Sequence, residues 1–261
     1  MGNILIRVEE GDRRVPHLPV DTCVADAQGG MGYMIQRLAV ELFQREAINR
    51  SVATVITQVL VRPDDPEFAQ PSKPIGQYYT AEQAGQLRLE RSDWDIRPVD
   101  RGMYRRVVPS PHPLRVLESQ PIALMLHAGV VVIACGGGGI PVAWDGDKLI
   151  GVEGVVDKDL ASALLASAVG ATRLVIVTSV DRVALHYGKP EQQWLASISI
   201  EQARRYLAAG EFPPGSMGPK VEAAIGFLER GGETCVITSA ERLADAMMGR
   251  EGTHIVRGSG K

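Results

Sequence analysis

A short apolar strand that runs straight into four glycines constrains this chain more than any other stretch. Residues 130–135 (VVVIAC) are too few for a buried helix, and their β-branched content reads as a strand covered on both faces. Gly136, Gly137, Gly138 and Gly139 follow at once. With no Cβ to forbid positive φ, they let the backbone bend sharply and come close to an oxygen-rich ligand. Ligands of parallel α/β sheets sit at that end of a strand. Asp157, Lys158 and Asp159 then open an apolar helix, where Asp159 is placed to cap free N–H groups and Lys158 to reach into a cleft. Leu160, Leu164 and Ala168 recur on one face of that helix. Alone, a glycine run is a flexible turn and a charged triplet is a solvated cap; together, between two apolar segments, they mark a ligand site.

The rest of the chain narrows the class. Its 261 residues suit one large domain or two small ones, and a formal charge of −3 leaves no basic field for nucleic acid. No apolar run approaches membrane-spanning length, and the N-terminus, MGNILIRVEEGD, has no basic stretch ahead of an apolar core, so no membrane association is expected and a cytoplasmic location is. Cys23, Cys135 and Cys235 are odd in number and far apart, which argues against structural disulfides and against a protein-held metal. Apolar strands alternating with helices predict a three-layer α/β fold with a mainly parallel central sheet.

Along the chain, Asn3 is placed to start a helix, and Met31, Ile35, Leu38 and Leu42 recur at the spacing of an amphipathic one. Three glycines just before that stripe permit close contact with a neighbouring element or a ligand. Residues 52–61 (VATVITQVLV) read as one buried strand. Between residues 62 and 113 prolines and mixed charges replace periodic apolar residues, as in a protruding lid subdomain. There Lys73 lies between prolines that hold its backbone, and Arg101, Arg105 and Arg106 make a positive patch; a solvated surface is the plain alternative for each. Residues 114–128 read as helix, residues 174–179 as a buried strand, and residues 182–190 (RVALHYGKP) as a short strand and turn that offers Tyr187. Ser199 and Gln202 form a capping box. In GEFPPGSMGPK, Gly215, Ser216, Met217 and Gly218 bend the chain, Pro219 suits the first helical position, and Lys220 stands against the helix dipole, a placement that points to a ligand anion. Residues 235–238 and 254–256 are the last strands, flanking a short helix. The terminal Gly-Ser-Gly-Lys lacks the upstream glycine spacing, the hydroxyl residue and the helix of a P-loop.

At CGGGGIPV, VVDKD, YGKP and PPGSMGPKVEAA the sequence resembles the carbamate kinases of the amino acid kinase family, and PVDTCVADAQGGMGYM, VATVITQVLV, PSKPIG and RRVVPSPHP extend the likeness over nearly the whole chain. The resemblance implies a homodimeric αβα sandwich that transfers phosphoryl between ATP with Mg2+ and carbamate, giving carbamoyl phosphate, often run toward ATP in arginine catabolism. By the same resemblance Lys158 and Lys220 flank the transferring group, Asp159 positions them, and Lys73 closes over the substrate. Gly136 to Gly139 form the substrate loop, while Thr178, Ser179, Val180, Asp181, Tyr187, Gly215, Ser216 and Met217 take the nucleotide. The family pattern opens with a strand, a Gly-Gly-Asn loop, a helix and a second strand ending in a His-Gly-Asn-Gly loop, whereas this sequence starts at Met1-Gly2-Asn3. The expectation is therefore a single domain, truncated at its N-terminus, with marginal folding and negligible turnover for residues 1–261 alone. A silent family member acting as a dimeric binding protein is the alternative, and a kinase of the same fold acting on an amino-acid carboxylate a weaker one.

Overall fold

A computed structural model describes residues 18–258. The helix expected at Asn3 and the tail from Ser259 lie outside the described residues. The chain forms two compact units that divide between Ala161 and Ser162.

In the first unit, α1 (Val20–Arg45) leads to β1 (Val52–Thr54) and β2 (Gln58–Val61). The single strand expected over residues 52–61 is thus broken. The cause lies at Thr57, which is fully buried and whose N–H and hydroxyl bond outside the ladder, while its C=O also takes Ile140 N–H. The Gln28 side chain accepts from Thr57 N–H at 2.8 Å and donates to Thr57 C=O at 3.0 Å, while the Thr57 hydroxyl donates to Val55 C=O at 2.8 Å. Before the break β1 pairs in parallel with β7 (Val131–Ile133); after it β2 pairs in parallel with β8 (Ile140–Asp145).

The α1 helix forms where the spacing placed it, but the covered part of that face is its N-terminal half, ahead of the residues that the spacing picked out. Val20, Cys23, Val24, Ala27, Gln28 and Gly32 are buried, while Met31, Ile35, Leu38 and Leu42 are exposed at 55%, 46%, 55% and 42%. A Cβ on Gly32 would collide with the Thr54 side chain, whereas Gly29 and Gly30 have open space. Only one of the three glycines therefore serves close packing.

Residues 62–113 carry α2 (Pro66–Ala69), β3 (Lys73–Tyr79), α3 (Ala81–Glu90), β4 (Asp95–Pro98) and β5 (Tyr104–Val108), with an antiparallel sheet in the order β3-β5-β4. Tyr79, Ala84, Trp94 and Ile96 give it a small core of its own, and Ile75 and Val108 join Val20, Cys23, Val24 and Val155 in the core beneath α1. The arginine patch is largely spent on this sheet. Arg106 lies over the Trp94 ring at 4.5 Å and Arg105 over Tyr78 at 4.8 Å, with Arg105 donating to Gly76 C=O.

Residues 114–128 differ from the continuous helix expected. β6 (Pro113–Val116) pairs antiparallel with β2, and α4 starts only at Ser119, running to His127. Glu118 makes the switch, its carboxylate accepting from both the backbone and the side-chain N–H of Gln58 at 2.7 and 2.9 Å. After β8, β9 (Lys148–Gly151) closes an antiparallel edge and α5 (Lys158–Ala168) follows.

The second unit holds β10 (Arg173–Thr178), β11 (Val183–Leu185), β12 (Gln193–Leu195), β13 (Ser197–Ser199), α6 (Ile200–Ala208), α7 (Met217–Glu229), β14 (Thr234–Ser239), α8 (Leu243–Met247) and β15 (Thr253–Val256). Its sheet runs β10-β14-β15-β13, parallel at β10–β14 and β13–β15 and antiparallel at β14–β15. α7 packs on this sheet with Val221, Phe227 and Leu228 fully buried against Ile237 and Ile255. The Ser199–Gln202 capping box forms as the sequence predicts.

Thr57→Val keeps the shape but removes the hydroxyl that both Cys135 N–H and Val55 C=O require. Leaving two buried groups unpaired is expected to cost about 2–4 kcal/mol in guanidinium unfolding. A loss below about 1 kcal/mol would show that the break at Thr57 does not depend on these bonds.

Candidate active site

The glycine loop is set by the residue before it. Cys135 adopts a left-handed backbone at φ 53°, and its N–H donates to the Thr57 hydroxyl at 3.0 Å. Gly136–Gly138 then form one 3-10 turn, with φ of 67°, 98° and 82° at Gly137, Gly138 and Gly139. The four glycines are needed for different reasons. A Cβ on Gly138 would strike the Val156 carbonyl, and one on Gly139 the Val59 side chain. At Gly137 the nearest atom is Val24 Cγ1 at 3.8 Å, and at Gly136 it is Gln28 Cγ at 3.2 Å. Gly138 and Gly139 therefore serve packing, while Gly137 is the position that keeps space open beside the loop. Burial, with the Glu118 charge behind it, pushes the Cys135 thiol up to about 12, so it is a neutral packing group.

Beside this loop the chain gathers two lysines and two carboxylates. Asp157, not Asp159, caps α5: its Oδ1 accepts from Asp159 N–H at 2.9 Å. Its other oxygen, Oδ2, accepts from Lys73 Nζ at 2.7 Å. Lys73 is the first residue of β3 rather than a loop residue, so a strand instead of two prolines fixes its ammonium. Lys158 Nζ donates to Asp159 Oδ1 at 3.0 Å, with the Lys158 side chain 60% exposed and that of Asp159 9% exposed. Burial alone would raise the Asp157 pKa; the hydrogen bond and charge of Lys73, the Asp159 N–H and the Lys158 charge together hold it below the usual carboxylate range. Asp157 is a site residue that the sequence did not single out as one. Its signal was the place immediately before an apolar helix, where the first acid of an Asp-Lys-Asp triplet is the natural cap.

The second unit contains a cavity of about 240 Å³. Thr178, Ser179 and Val180 at the end of β10, Tyr187, Ser216, Met217 and Lys220 all line it. Gly215 and Asp181 are not in its lining; Asp181 lies in a neighbouring hollow with Ser179 and Val180, and accepts from the Ser239 hydroxyl at 2.6 Å. Arg182, Ala184, Glu211, Phe212 and Pro213 are lining residues that sequence reasoning missed. The approach to α7 is built on one carbonyl, Pro213 C=O, which accepts from Gly218 N–H at 3.0 Å and from the N–H and hydroxyl of Ser216 at 3.4 Å. α7 begins at Met217, so Pro219 is its third residue rather than its first, and Lys220 follows in the same turn, donating to Ser216 C=O at 3.2 Å. A cation, a hydroxyl and the positive end of a 13-residue helix thus meet one apolar cavity, a combination suited to an anionic, partly aromatic ligand.

Residues 76–239 match the model of the amino acid kinase family. The chain belongs to that family. It is 42% identical over 259 residues to the carbamate kinase of Thermococcus kodakarensis, covering 98% of this chain and 82% of that protein. It is 44% identical to the carbamate kinase-like protein YahI of Escherichia coli, at the same coverage. Among solved structures, the carbamate kinase of Giardia lamblia bound to AMP-PNP superposes with a TM-score of 0.89 at 36% identity, covering 98% of this chain and 81% of that one. The α/β fold with parallel strand pairs is therefore the amino acid kinase fold, and the chain is a carbamate kinase-like phosphotransferase.

Two measurements test this local chemistry. Gly138→Ala is expected to destabilise the chain by at least about 3 kcal/mol and Gly137→Ala by only about 1, since both meet positive φ but only the first meets a backbone carbonyl. Equal losses would refute the division of labour in the loop. For Asp157, a depressed folded pKa means stability that is complete above the unfolded carboxylate value near pH 4 and lost as the pH falls through the lower folded value. The stability gap between wild type and Asp157→Asn is therefore expected to close on acidification from about pH 5; a gap constant from pH 7 to pH 3 would show that the ionised carboxylate contributes nothing.

Proposed function

We propose that this chain catalyses phosphoryl transfer between ATP and carbamate, giving ADP and carbamoyl phosphate, and that it runs toward ATP in arginine breakdown. The observation that carries the reading is Lys73, which the sheet of residues 62–113 delivers to Asp157 next to Lys158 and Asp159. Phosphoryl transfer needs little covalent help; it needs reactants held in line and cations where charge develops. Lys158 and Lys220 supply those cations, Asp159 orients Lys158 through their 3.0 Å pair, and Lys73 closes over the carbamoyl group as the working residue of a lid formed by residues 62–113. Gly136 to Gly139 give the acceptor its close approach. The cavity from Thr178 to Lys220, with Asp181 and Gly215 at its margins, takes the nucleotide. In the forward step a carbamate oxygen bonds to the γ-phosphorus as the β–γ bridging bond breaks, and the electron pair leaves on ADP.

Mg2+ neutralises phosphate charge in such a step. Among the described residues no group of three or more His, Cys, Asp or Glu is gathered in one place. That donor set fits a cation carried mainly on the nucleotide phosphates, which needs one or two carboxylates at most.

Among the described residues no helix is long and apolar enough to cross a membrane. The proposed enzyme works on small molecules in the cytoplasm, without nucleic-acid or membrane partners. The exposed Met31, Met34, Ile35 and Leu38 on α1 favour a homodimer. The same face favours a second reading, a nucleotide-binding chain that acts by association without turnover.

The test is ATP formation from ADP and carbamoyl phosphate. Lys158→Ala or Lys220→Ala is expected to lower turnover by at least about two orders of magnitude, the scale of a lost electrostatic donor. Lys73→Ala should act mainly through KM for carbamoyl phosphate. Rates unchanged by either core-lysine substitution would remove that lysine from the mechanism, and ADP binding with no turnover in the wild type would establish the second reading.

A further inference from the structure

Among the described residues, Glu211 is the one carboxylate in the wall of the second unit's cavity. A negative charge is unexpected in a cavity that also presents Lys220 to a polyanion, because it weakens binding unless it is used for something else. Its geometry shows that it is held deliberately. Glu211 Oε2 accepts from His186 N–H at 3.0 Å and lies 3.2 Å from the imidazole Nδ1 of the same residue. His186 has left-handed backbone at φ 51°, a conformation that a side chain with a Cβ adopts only when its surroundings hold it there. The Glu211 side chain is 20% exposed, and its second oxygen, Oε1, accepts no hydrogen bond among the described residues. The result is one clamped oxygen and one open oxygen, which can only accept.

The walls around it suit a flat heterocycle. Ala184, Phe212, Pro213 and Met217 are apolar, and the ring of the half-exposed Tyr187 stands among them. We infer that Glu211 reads the nucleoside: Oε1 accepts a hydrogen bond from a donor on the base or the sugar, and His186 is the positioning residue that aims it. This rests on the proposal above that the cavity takes the nucleotide. Adenosine offers two kinds of donor, the 6-amino group and the ribose hydroxyls. A 6-oxo purine places an acceptor where adenine has its donor, lone pair against lone pair, and a site built for a donor rejects such an analogue strongly. Glu211 would then set the choice of adenine over guanine, or of ribose over deoxyribose, at a cavity otherwise lined for any flat base.

The direction of one substitution separates this role from a bystander charge. If Glu211 merely sat near the phosphates, Glu211→Gln would remove a repulsion and strengthen binding. If it accepts from the nucleoside, the isosteric change weakens binding. The whole chain is titrated by calorimetry with ADP, inosine diphosphate and 2′-deoxy-ADP, as wild type, Glu211→Gln, Glu211→Asp and His186→Asn. The wild type is expected to bind ADP at least about tenfold more tightly than one of the two analogues, about 1.4 kcal/mol. In Glu211→Gln, ADP affinity should fall about tenfold and that preference should collapse. Loss of the ADP-to-inosine preference identifies the 6-amino group as the donor, and loss of the ADP-to-deoxy preference the ribose. Glu211→Asp, which keeps the charge but withdraws the oxygen, should weaken ADP, and His186→Asn, which keeps the backbone N–H on Oε2 and removes only the imidazole beside it, should weaken ADP less. Equal wild-type affinity for all three nucleotides, or ADP affinity in Glu211→Gln equal to or above that of wild type, would overturn the inference while leaving the nucleotide cavity in place. A wild type that binds none of the three would overturn the cavity reading and this inference together.

Discussion

The first unit depends on the hydrogen bonds that converge on Thr57. One buried residue uses its N–H, its C=O and its hydroxyl to join α1 through Gln28, the strand behind it through Val55, and the two ends of the glycine loop through Cys135 and Ile140. Each of these groups, unpaired in an apolar interior, would cost about 1–3 kcal/mol, so the break between β1 and β2 is stable only when all partners are present. The break in turn displaces β8 from β7 and leaves the chain to cross the gap in the left-handed turn from Cys135 to Gly139. The glycine loop is thus a consequence of a strand that ends early, and its conformation is held from below before any ligand is present.

The same economy governs the charges near the start of α5. Asp157 caps the helix with one oxygen and holds Lys73 with the other, so the position of the lysine from β3 and the start of the helix that carries Lys158 and Asp159 are fixed by one carboxylate. With the Lys73 side chain 29% exposed and that of Asp157 12%, the pair is only partly solvated and is screened less than a surface ion pair. In a chain of net charge −3, positive charge near α5 comes from individual lysines placed by secondary structure rather than from a broad positive field.

What the sequence made legible were features whose cause is local. The capping box at Ser199, the strand before Ser179, the run of glycines and the odd lysine in the first turn of α7 all depend on neighbours within a few residues. The features it concealed depend on distant partners. Residues 52–61 carry no breaker, and only Gln28, far away in sequence, shows why the strand stops. Residues 114–118 carry enough apolar character for a helix, yet β2 recruits them as a strand. Asp157 and Asp159 are alike in sequence, and the assignment of cap and partner follows from where Lys73 arrives. Glu211 was hidden in the same way. Before a loop of prolines and glycines an acid looks like a solvated turn residue, and its place is set by His186 across the cavity wall.

α1 shows most plainly what periodicity does and does not decide. One stripe runs along the helix at helical spacing, its first half through Val20, Cys23, Val24, Ala27 and Gln28 and its second through Met31, Ile35, Leu38 and Leu42, and both halves satisfy the same pattern. The first is packed beneath the sheet of residues 62–113 and beside the glycine turn. The second is exposed, with Met31 and Leu38 each at 55%. A fully buried side chain of that size contributes about 1.5–3 kcal/mol relative to an exposed one, so a stripe of four holds a driving force comparable to the whole stability of a domain. Periodicity states that such a stripe wants to be covered; the covering surface is a separate fact. The half of α1 that positions the glycine loop has its cover within the first unit. The other half is where association would add most to stability, and the two halves can differ in this way because Gly32, pressed against Thr54, is where close contact with β1 is made and the buried stripe ends.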